Sequence, residues 1–253
     1  MQLQADLPAL DAAGIWPVAL SYDSQVTQAA FATERGITFP LLADEGSVVI
    51  RQLGMLNTAI ATEHPRYGVA QPATYLLDQE GRVERVILHA SQTVRDSWPT
   101  ALHGAVELRA NASGPIVRHE AEGVAITVSL DSATYAPRQR VGVRARVLIA
   151  DGAHLYGRPL PRGYTPLTLT VDAPAGMTVE SATYPPPTPL LLPALGETLP
   201  VYSGVLDLSA YVTGEEVRED VAIAVTLAWQ VCTETDCLVP QTVTVSLPLR
   251  YRP

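Results

Sequence analysis

Apolar residues in the first 110 positions alternate between helical spacing and short runs of strand length. Leu3, Leu7 and Leu10 recur at intervals of four and three, which is typical of one face of a helix, and Gly14 is placed to end that helix. The elements predicted after it are a strand over 15–22, a helix over 26–35, a strand over 37–42, a helix over 47–56, strands over 74–77 and 82–89, and a helix over 97–110. This order predicts an α/β domain over residues 1–110.

Beyond residue 110 the periodicity changes from helical spacing to strict alternation. The breaker-rich residues 111–115 (NASGP) open a linker that is predicted over 111–122. Apolar and polar positions then alternate in six runs separated by Pro and Gly, over 124–130, 140–149, 167–171, 201–208, 221–231 and 241–251. Because no long helical pattern intervenes, these runs predict an antiparallel β-sandwich over residues 123–253.

Composition and charge exclude several classes of function. The chain of 253 residues carries a net charge of −9, and its seventeen basic residues form no patch, so nucleic acid and anionic membrane surfaces are not expected partners. The five histidines are scattered, and no glycine-rich phosphate loop occurs, so neither a metal nor a bound cofactor is predicted. No run of about twenty apolar residues predicts a membrane span, and the first residues lack the pattern of a signal peptide.

The two cysteines of the chain, Cys232 and Cys237, are the strongest candidates for chemistry by its own side chains. The four residues between them are polar and compatible with a turn, so a hairpin is expected. Facing residues in a hairpin have Cα atoms about 4.5–5.5 Å apart, within the range that a disulfide requires. A ring this short stabilises the fold by only about 2 kcal/mol. The carboxylates of Glu234 and Asp236 disfavour a thiolate nearby, so the reduced pair is expected to be a slow nucleophile. Slow reactivity fits both a carrier that reacts only with a docked partner and a structural disulfide.

The first domain resembles a peroxiredoxin-like redoxin of the thioredoxin fold. The resemblance is carried by the segments GIWPVALSYDS, GITFPLLADEGS, IRQLGMLN and QPATYLLDQEGRV. It implies a cis proline before the third strand, facing the active cysteines, and Pro72 takes the matching position. The family carries a Cys-x-x-Cys at the start of its first helix, and Met1, Gln2 and Leu3 fit just after that motif. Because residues 1–110 contain no cysteine, the resemblance implies an incomplete thioredoxin-like domain without peroxidase activity.

Three explanations fit the missing opening segment of the redoxin. The favoured explanation is that an internal methionine is taken as the start, because the missing segment ends directly after the second cysteine of the motif. The alternatives are a deliberately truncated chain and a degenerate domain. A domain that begins at Met1 would leave a central strand of its sheet without a neighbour. Such a domain is expected to be strained or prone to aggregation.

The second domain resembles the amino-terminal domain of the thiol–disulfide interchange protein DsbD, which implies an immunoglobulin-like sandwich. The resemblance rests on VYSGVLDL, on AWQVCTETDCLVPQTVTVSLPL and on the turn DGAHLY. Members show Tyr-Gln-x-Cys, a short spacer, then Cys followed by apolar residues and Pro. Here Trp229 replaces the tyrosine, and Pro240 lies three residues beyond Cys237.

This second resemblance also implies roles for individual residues. Cys237 is the thiol that attacks the disulfides of partners, and Cys232 resolves the mixed disulfide. Residues 184–200 would form a loop that caps the pair. Tyr156 and Glu197 are supporting candidates on position alone. Trp229, which replaces the motif tyrosine, and Pro72, from the redoxin resemblance, are the other supporting candidates, and the family turn brings His154 towards the cysteines.

Together the two resemblances predict thiol–disulfide exchange through the cysteine pair in the bacterial periplasm or cell envelope. The implied partners are thioredoxin-like or membrane redox proteins, and the implied activity is that of a protein-disulfide reductase. The alternative is a non-catalytic binding or scaffolding module with a structural disulfide and a degenerate redoxin domain. A redox potential far below about −300 mV would favour that alternative.

Overall fold

The computed structural model describes residues 2–89, 91–103, 114–192 and 196–253. It divides into two compact units, residues 1–111 and 112–253, and each is considered by itself. The first unit is α/β and the second consists of β-strands, which confirms the fold class predicted for each half of the chain. None of the described helices is both long and apolar enough to cross a membrane.

The first unit alternates helices and strands in the predicted order. Helix α2 shows why the sequence folds this way locally, because the Ser24 side chain accepts a hydrogen bond from the Thr27 N–H and Gly36 ends the helix in the left-handed conformation. Strands β1 and β2 pair in parallel, and β3 and β4 form an antiparallel hairpin. The elements are α1 Gln2–Ala12, β1 Ala19–Ser21, α2 Gln25–Arg35, β2 Leu41–Ala43, α3 Val48–Gln52, β3 Ala73–Leu77, β4 Val83–Leu88, β5 Arg95–Asp96 and α4 Trp98–Leu102.

Several elements of the first unit are shorter than the sequence predicts. The strands over 15–22 and 37–42 are reduced to β1 and β2, because a proline, Pro17 or Pro40, cannot donate a ladder hydrogen bond just before each. The helix predicted over 47–56 ends at Gln52, where Gly54 takes a positive φ of 68°. The helix predicted over 97–110 is observed as α4, and its residues 104–110 lie outside the described residues.

The structure contradicts one expectation from the redoxin resemblance. Among the described residues the one cis peptide bond joins Arg158 to Pro159, so the bond between Gln71 and Pro72 is trans. An X–Pro bond is trans unless its surroundings hold it otherwise. Pro72 lies just before β3, where its carbonyl oxygen accepts a hydrogen bond from the His89 N–H at 3.0 Å. Pro72 thus extends the β3–β4 hairpin, and the expectation of a cis proline is wrong.

The second unit is a β-sandwich with a third, smaller sheet. Its strands are β6 Ile116–Ala121, β7 Val124–Leu130, β8 Thr134–Tyr135, β9 Gln139–Ile149, β10 His154–Tyr156, β11 Thr168–Asp172, β12 Met177–Thr183, β13 Thr188–Leu192, β14 Glu197–Tyr202, β15 Val205–Gly214, β16 Val221–Trp229, β17 Val231–Cys232 and β18 Gln241–Tyr251. One large sheet has the order β12-β15-β9-β7-β6, the other has the order β11-β16-β18-β8, and the smaller sheet has the order β13-β14-β10-β17. These strands pair antiparallel, except that the short β8 pairs in parallel with β18.

Alternating apolar residues of the two large sheets form one continuous core. Every second residue of β7 is buried, and every second residue of β16 is buried, as the sequence alternation predicts. Ile126 and Val128 from β7 belong to the same apolar cluster as Ile223, Val225 and Leu227 from β16. Their side chains are at most 1% exposed.

Two predicted strands are each divided in the structure. The run over 201–208 is split between β14 and β15 at Gly204, which has a positive φ of 69°. The run over 221–231 is split between β16 and β17 at Gln230, because β16 pairs with β18 whereas β17 pairs with β10. The chain therefore leaves one sheet and enters the small sheet immediately before Cys232.

The linker predicted over 111–122 is wrong for half of its length. Residues 116–121 form β6, which pairs with β7 along its whole length. The polar run 118–120 conceals this strand in the sequence, because its inward face carries only two apolar residues, Val117 and Ala121. Between them His119 also faces inward, and its ring meets that of Trp229. Residues 111–113 lie outside the described residues.

Replacing Leu227 by alanine is expected to destabilise the second unit by about 2–5 kcal/mol, since the side chain is fully buried in the core. The matched control is Leu148→Ala in β9, where the leucine is 44% exposed and the loss is expected to be at most about 1 kcal/mol. Denaturant unfolding followed by near-ultraviolet circular dichroism measures both. Equal losses would contradict the core assignment.

Candidate functional site

Cys232 and Cys237 form a disulfide across a tight turn. The two residues make an isolated antiparallel bridge, and their Cα atoms are 4.0 Å apart, closer than the hairpin spacing expected from the sequence. The Thr233 N–H donates to the Asp236 carbonyl oxygen at 2.8 Å, and the Leu238 N–H donates to the Val231 carbonyl oxygen at 2.8 Å. The expected hairpin is therefore present, as a short turn closed by the disulfide.

Polar side chains within the turn explain why the sequence folds this way. The Thr233 hydroxyl oxygen accepts a hydrogen bond from the Asp236 N–H at 3.1 Å, and the Thr235 hydroxyl donates to the Asp236 carboxylate at 2.8 Å. Gln230, the glutamine of the Gln-x-Cys motif, donates from Nε2 to the Leu238 carbonyl oxygen at 3.0 Å. This contact ties the segment after Cys237 back to the strand before Cys232.

The two cysteines differ sharply in exposure. Cys232 is 1% exposed, whereas Cys237 is an exposed residue. Cys232 belongs to an apolar cluster with Tyr156, Leu192, Leu199 and Val201. An approaching protein can therefore reach Cys237, while Cys232 is shielded by the small sheet.

The shield over Cys232 is a hairpin rather than the loop predicted over residues 184–200. Strands β13 and β14 pair from Thr188 opposite Val201 to Leu192 opposite Glu197. Residues 193–195, within the predicted loop, lie outside the described residues. Alternating apolar residues on both strands give this hairpin a buried face towards Cys232. That alternation is the signal that could have predicted the hairpin, and three consecutive prolines before it interrupt the pattern.

Tyr156 connects the buried face to the exposed cysteine. Its side chain is 2% exposed, and its hydroxyl oxygen lies 3.8 Å from Cys237 Sγ. Because a disulfide sulfur carries no hydrogen, the hydroxyl is the donor in this contact. Burial raises the pKa of Tyr156, and the charge of Glu197 raises it further, so the phenol stays protonated at neutral pH.

Glu197 acts on the site through a second tyrosine. Its carboxylate accepts a hydrogen bond from the Tyr164 hydroxyl at 2.9 Å, and this bond raises the pKa of Tyr164. The Tyr164 ring meets the Tyr156 ring edge-on, with 5.1 Å between centroids. The structure thus brings Glu197 and Tyr156 together, with Tyr164 between them, a residue that the sequence analysis did not single out.

The other two supporting candidates lie elsewhere. Trp229 is 1% exposed within the core between the large sheets, where its ring meets the His119 ring edge-on at 6.1 Å. Because side chains alternate along a strand, Trp229 faces that core while Cys232 faces the small hairpin. Pro72 belongs to the first unit.

His154 lies directly opposite Cys232 in the pairing of β10 with β17. It is 4% exposed, and its ring meets the Tyr156 ring edge-on at 5.4 Å. Burial lowers the pKa of His154, so the imidazole is neutral at pH 7. Among the described residues no cluster of three or more His, Cys, Asp or Glu side chains could hold a metal ion.

Comparison with known proteins relates each half of the chain to a different family. Residues 1–86 match the family model described as the AhpC/TSA family, and residues 126–249 match the one described as thiol:disulfide interchange protein DsbD, N-terminal. No curated protein matches the chain.

Three similar solved structures come from Proteus mirabilis and Neisseria meningitidis. The N-terminal periplasmic domain of ScsB from Proteus mirabilis is 13% identical, with a TM-score of 0.39, over 54% of this chain and 51% of that one. This chain therefore spans about half of the ScsB structure. The reduced DsbD N-terminal domain from Neisseria meningitidis is 21% identical, with a TM-score of 0.31, over 42% of this chain and 74% of that one. A complex of the DsbD and PilB N-terminal domains from the same organism is 18% identical, with a TM-score of 0.31, over 42% of this chain and 73% of that one.

Both resemblances predicted from the sequence are thus confirmed, each for its own half of the chain. The protein joins a redoxin-like segment that matches the AhpC/TSA family model, at residues 1–86, to a DsbD amino-terminal-like sandwich that contains the disulfide, at residues 126–249.

Proposed function

We propose that this protein exchanges thiols and disulfides with other proteins through Cys232 and Cys237. The observation that carries the proposal is the asymmetry of the disulfide, which joins an exposed cysteine to one that is 1% exposed within the DsbD-like segment. A bond meant only to hold the fold has no need of an exposed sulfur. A carrier needs one sulfur that partners can reach and a second that they cannot.

The exchange proceeds in two displacements. In the dithiol form the Cys237 thiolate attacks a disulfide of the partner, which forms a mixed disulfide and releases one partner sulfur as a thiolate that takes up a proton. The Cys232 thiol then loses its proton and its sulfur attacks Cys237 Sγ, which breaks the mixed disulfide and releases the second partner sulfur. Two electrons and two protons have then passed to the partner, and the Cys232–Cys237 disulfide has formed.

The shielding of Cys232 supports the proposed roles of the two cysteines. Because Leu192, Leu199 and Val201 cover Cys232, a foreign disulfide cannot approach its sulfur, whereas Cys237 lies only across the turn. Cys237 is therefore the attacking residue and Cys232 the resolving one. The same roles operate in reverse when a reduced partner delivers electrons to the disulfide.

The match to the DsbD N-terminal model supports the proposed partners and compartment. A thioredoxin-like or membrane redox protein supplies the electrons, and an oxidised protein receives them, in the periplasm or cell envelope. Such a compartment allows the pair to cycle, since a reducing cytosol would hold it as the dithiol. No cofactor takes part, because sulfur carries the electrons throughout.

The redox potential of the pair separates exchange from a purely structural bond. We expect the full chain, equilibrated in glutathione buffers and scored by alkylation and mass spectrometry, to show a midpoint between about −300 and −120 mV. The double variant Cys232→Ser/Cys237→Ser is the control for background labelling. A midpoint far below about −300 mV would identify the bond as structural and remove the proposed function.

Single cysteine variants test the assignment of roles. Cys232→Ser, which leaves the exposed Cys237 free, is expected to form a mixed disulfide with oxidised glutathione at least about tenfold faster than Cys237→Ser, because access controls thiol reactivity. Mass spectrometry follows the adduct with time. Equal rates for the two variants would contradict the assignment.

Tyr156→Phe tests the contact between the phenol and the attacking sulfur. In the reduced protein the hydroxyl can donate to the Cys237 thiolate, so its loss is expected to slow alkylation of Cys237 at pH 7 by at least about threefold. The matched control is Tyr164→Phe, which removes a hydroxyl bonded to Glu197 rather than placed at the sulfur. The contact has no role in reactivity if both variants react at the wild-type rate.

A further inference from the structure

His154 has a place in the site that the exchange mechanism does not yet use. Its Cα pairs with that of Cys232 between two antiparallel strands. Directly opposed residues of such strands project to the same face, with Cβ atoms about 4.5–5.5 Å apart. Tyr156, two residues further along β10, shares that face and belongs to the apolar cluster around Cys232. His154 is therefore a direct neighbour of the resolving cysteine.

One nitrogen of the buried His154 imidazole lacks the hydrogen bond that such an atom normally makes. His154 is 4% exposed, and Nε2 has no hydrogen-bond partner among the described residues. Most buried polar atoms in proteins do have a partner, and a buried nitrogen without one destabilises the state in which it occurs. That state is the disulfide form of the protein.

Reduction supplies the kind of group that Nε2 lacks. The disulfide takes up two electrons and two protons, from a reduced dithiol or glutathione, and becomes two thiols whose sulfur atoms are free to separate. The Cys232 thiol can then both donate and accept a hydrogen bond, which a disulfide sulfur cannot. It can therefore partner Nε2 whether this nitrogen carries the imidazole hydrogen or not.

We propose, on the basis of the exchange function above, that His154 is a positioning residue that hydrogen-bonds the Cys232 sulfur in the dithiol and so shifts the pair towards the reduced form. A redox pair whose reduced form is selectively stabilised has a less negative potential. The same contact orients Cys232 for its attack on the mixed disulfide at Cys237.

His154→Phe tests this role, because it keeps a ring of similar shape and removes both nitrogens. In the full chain we expect the equilibrium constant for reduction by glutathione to fall about tenfold, which corresponds to a potential about 30 mV more negative. His154→Gln, whose carboxamide both donates and accepts, is expected to recover most of this shift. A wild-type equilibrium constant for His154→Phe would overturn the proposal.

The matched control is His119→Phe. His119 is the other histidine of the second unit. Its ring meets the Trp229 ring edge-on, with 6.1 Å between centroids, and Trp229 belongs to the core between the large sheets rather than to the cluster around Cys232. Its replacement should leave the equilibrium constant unchanged. A tenfold fall for His119→Phe as well would mean that loss of an imidazole acts through the fold in general, and would overturn the specific role of His154.

A measurement on the wild-type chain decides the matter even if His154→Phe does not fold. With histidine labelled by nitrogen-15, the Nε2 resonance of His154 should shift on reduction by dithiothreitol, while that of His119 stays in place. A His154 resonance that is the same in both redox states would overturn the proposal.

Failure of this proposal and failure of the exchange function give different results. A wild-type potential in the range of a structural bond removes the exchange function, yet the ratio between the equilibrium constants of wild type and His154→Phe still measures the histidine contact. A wild-type potential within the exchange range, with an unchanged value for His154→Phe, removes only the role of His154.

Discussion

The packing of Trp229 and Val231 into the sandwich core fixes the position of the redox site. Both side chains are at most 4% exposed, and alternation along the strand then turns Cys232 to the opposite face. The disulfide itself restrains a ring so short that it stabilises the fold by only about 2 kcal/mol. The site therefore depends on the core far more than on the bond, and the bond can open without loss of the fold.

Sequence alternation predicts the large sheets well because their strands are long and bury one face. The runs 124–130 and 241–251 coincide with β7 and β18. The hairpin of β13 and β14 was not predicted, because prolines interrupt its pattern and its pairing is visible only in three dimensions. Likewise the sequence predicts a linker where β6 lies, since only two residues on the inward face of this strand, Val117 and Ala121, are apolar.

The site could be predicted only in part, for a related reason. The family resemblance brought Tyr156 and Glu197 to attention. In the structure the Tyr156 hydroxyl lies beside Cys237 Sγ, and the charge of Glu197 acts on Tyr156. The resemblance implied a capping loop over residues 184–200, but the sequence could not show that the cap is a hairpin that buries Cys232 and leaves Cys237 exposed. Nor could it show that His154 pairs with Cys232, since β10 has three residues and its register is set by long-range contacts.

Burial then has opposite consequences for the two states of the pair. In the disulfide, the face that carries Cys232 is almost wholly apolar, and the polar atom of His154 there lacks a partner. In the dithiol, a thiol appears on that face and the imbalance is removed. The buried side of the site, around Cys232, is shielded from water and foreign thiols in both states, while Cys237 stays within reach of partners. The contact of one buried nitrogen then adjusts the free-energy difference between the two states. The core that stabilises the fold and the contact that adjusts the redox equilibrium are therefore separate, so substitutions at His154 can shift the potential without dismantling the sandwich.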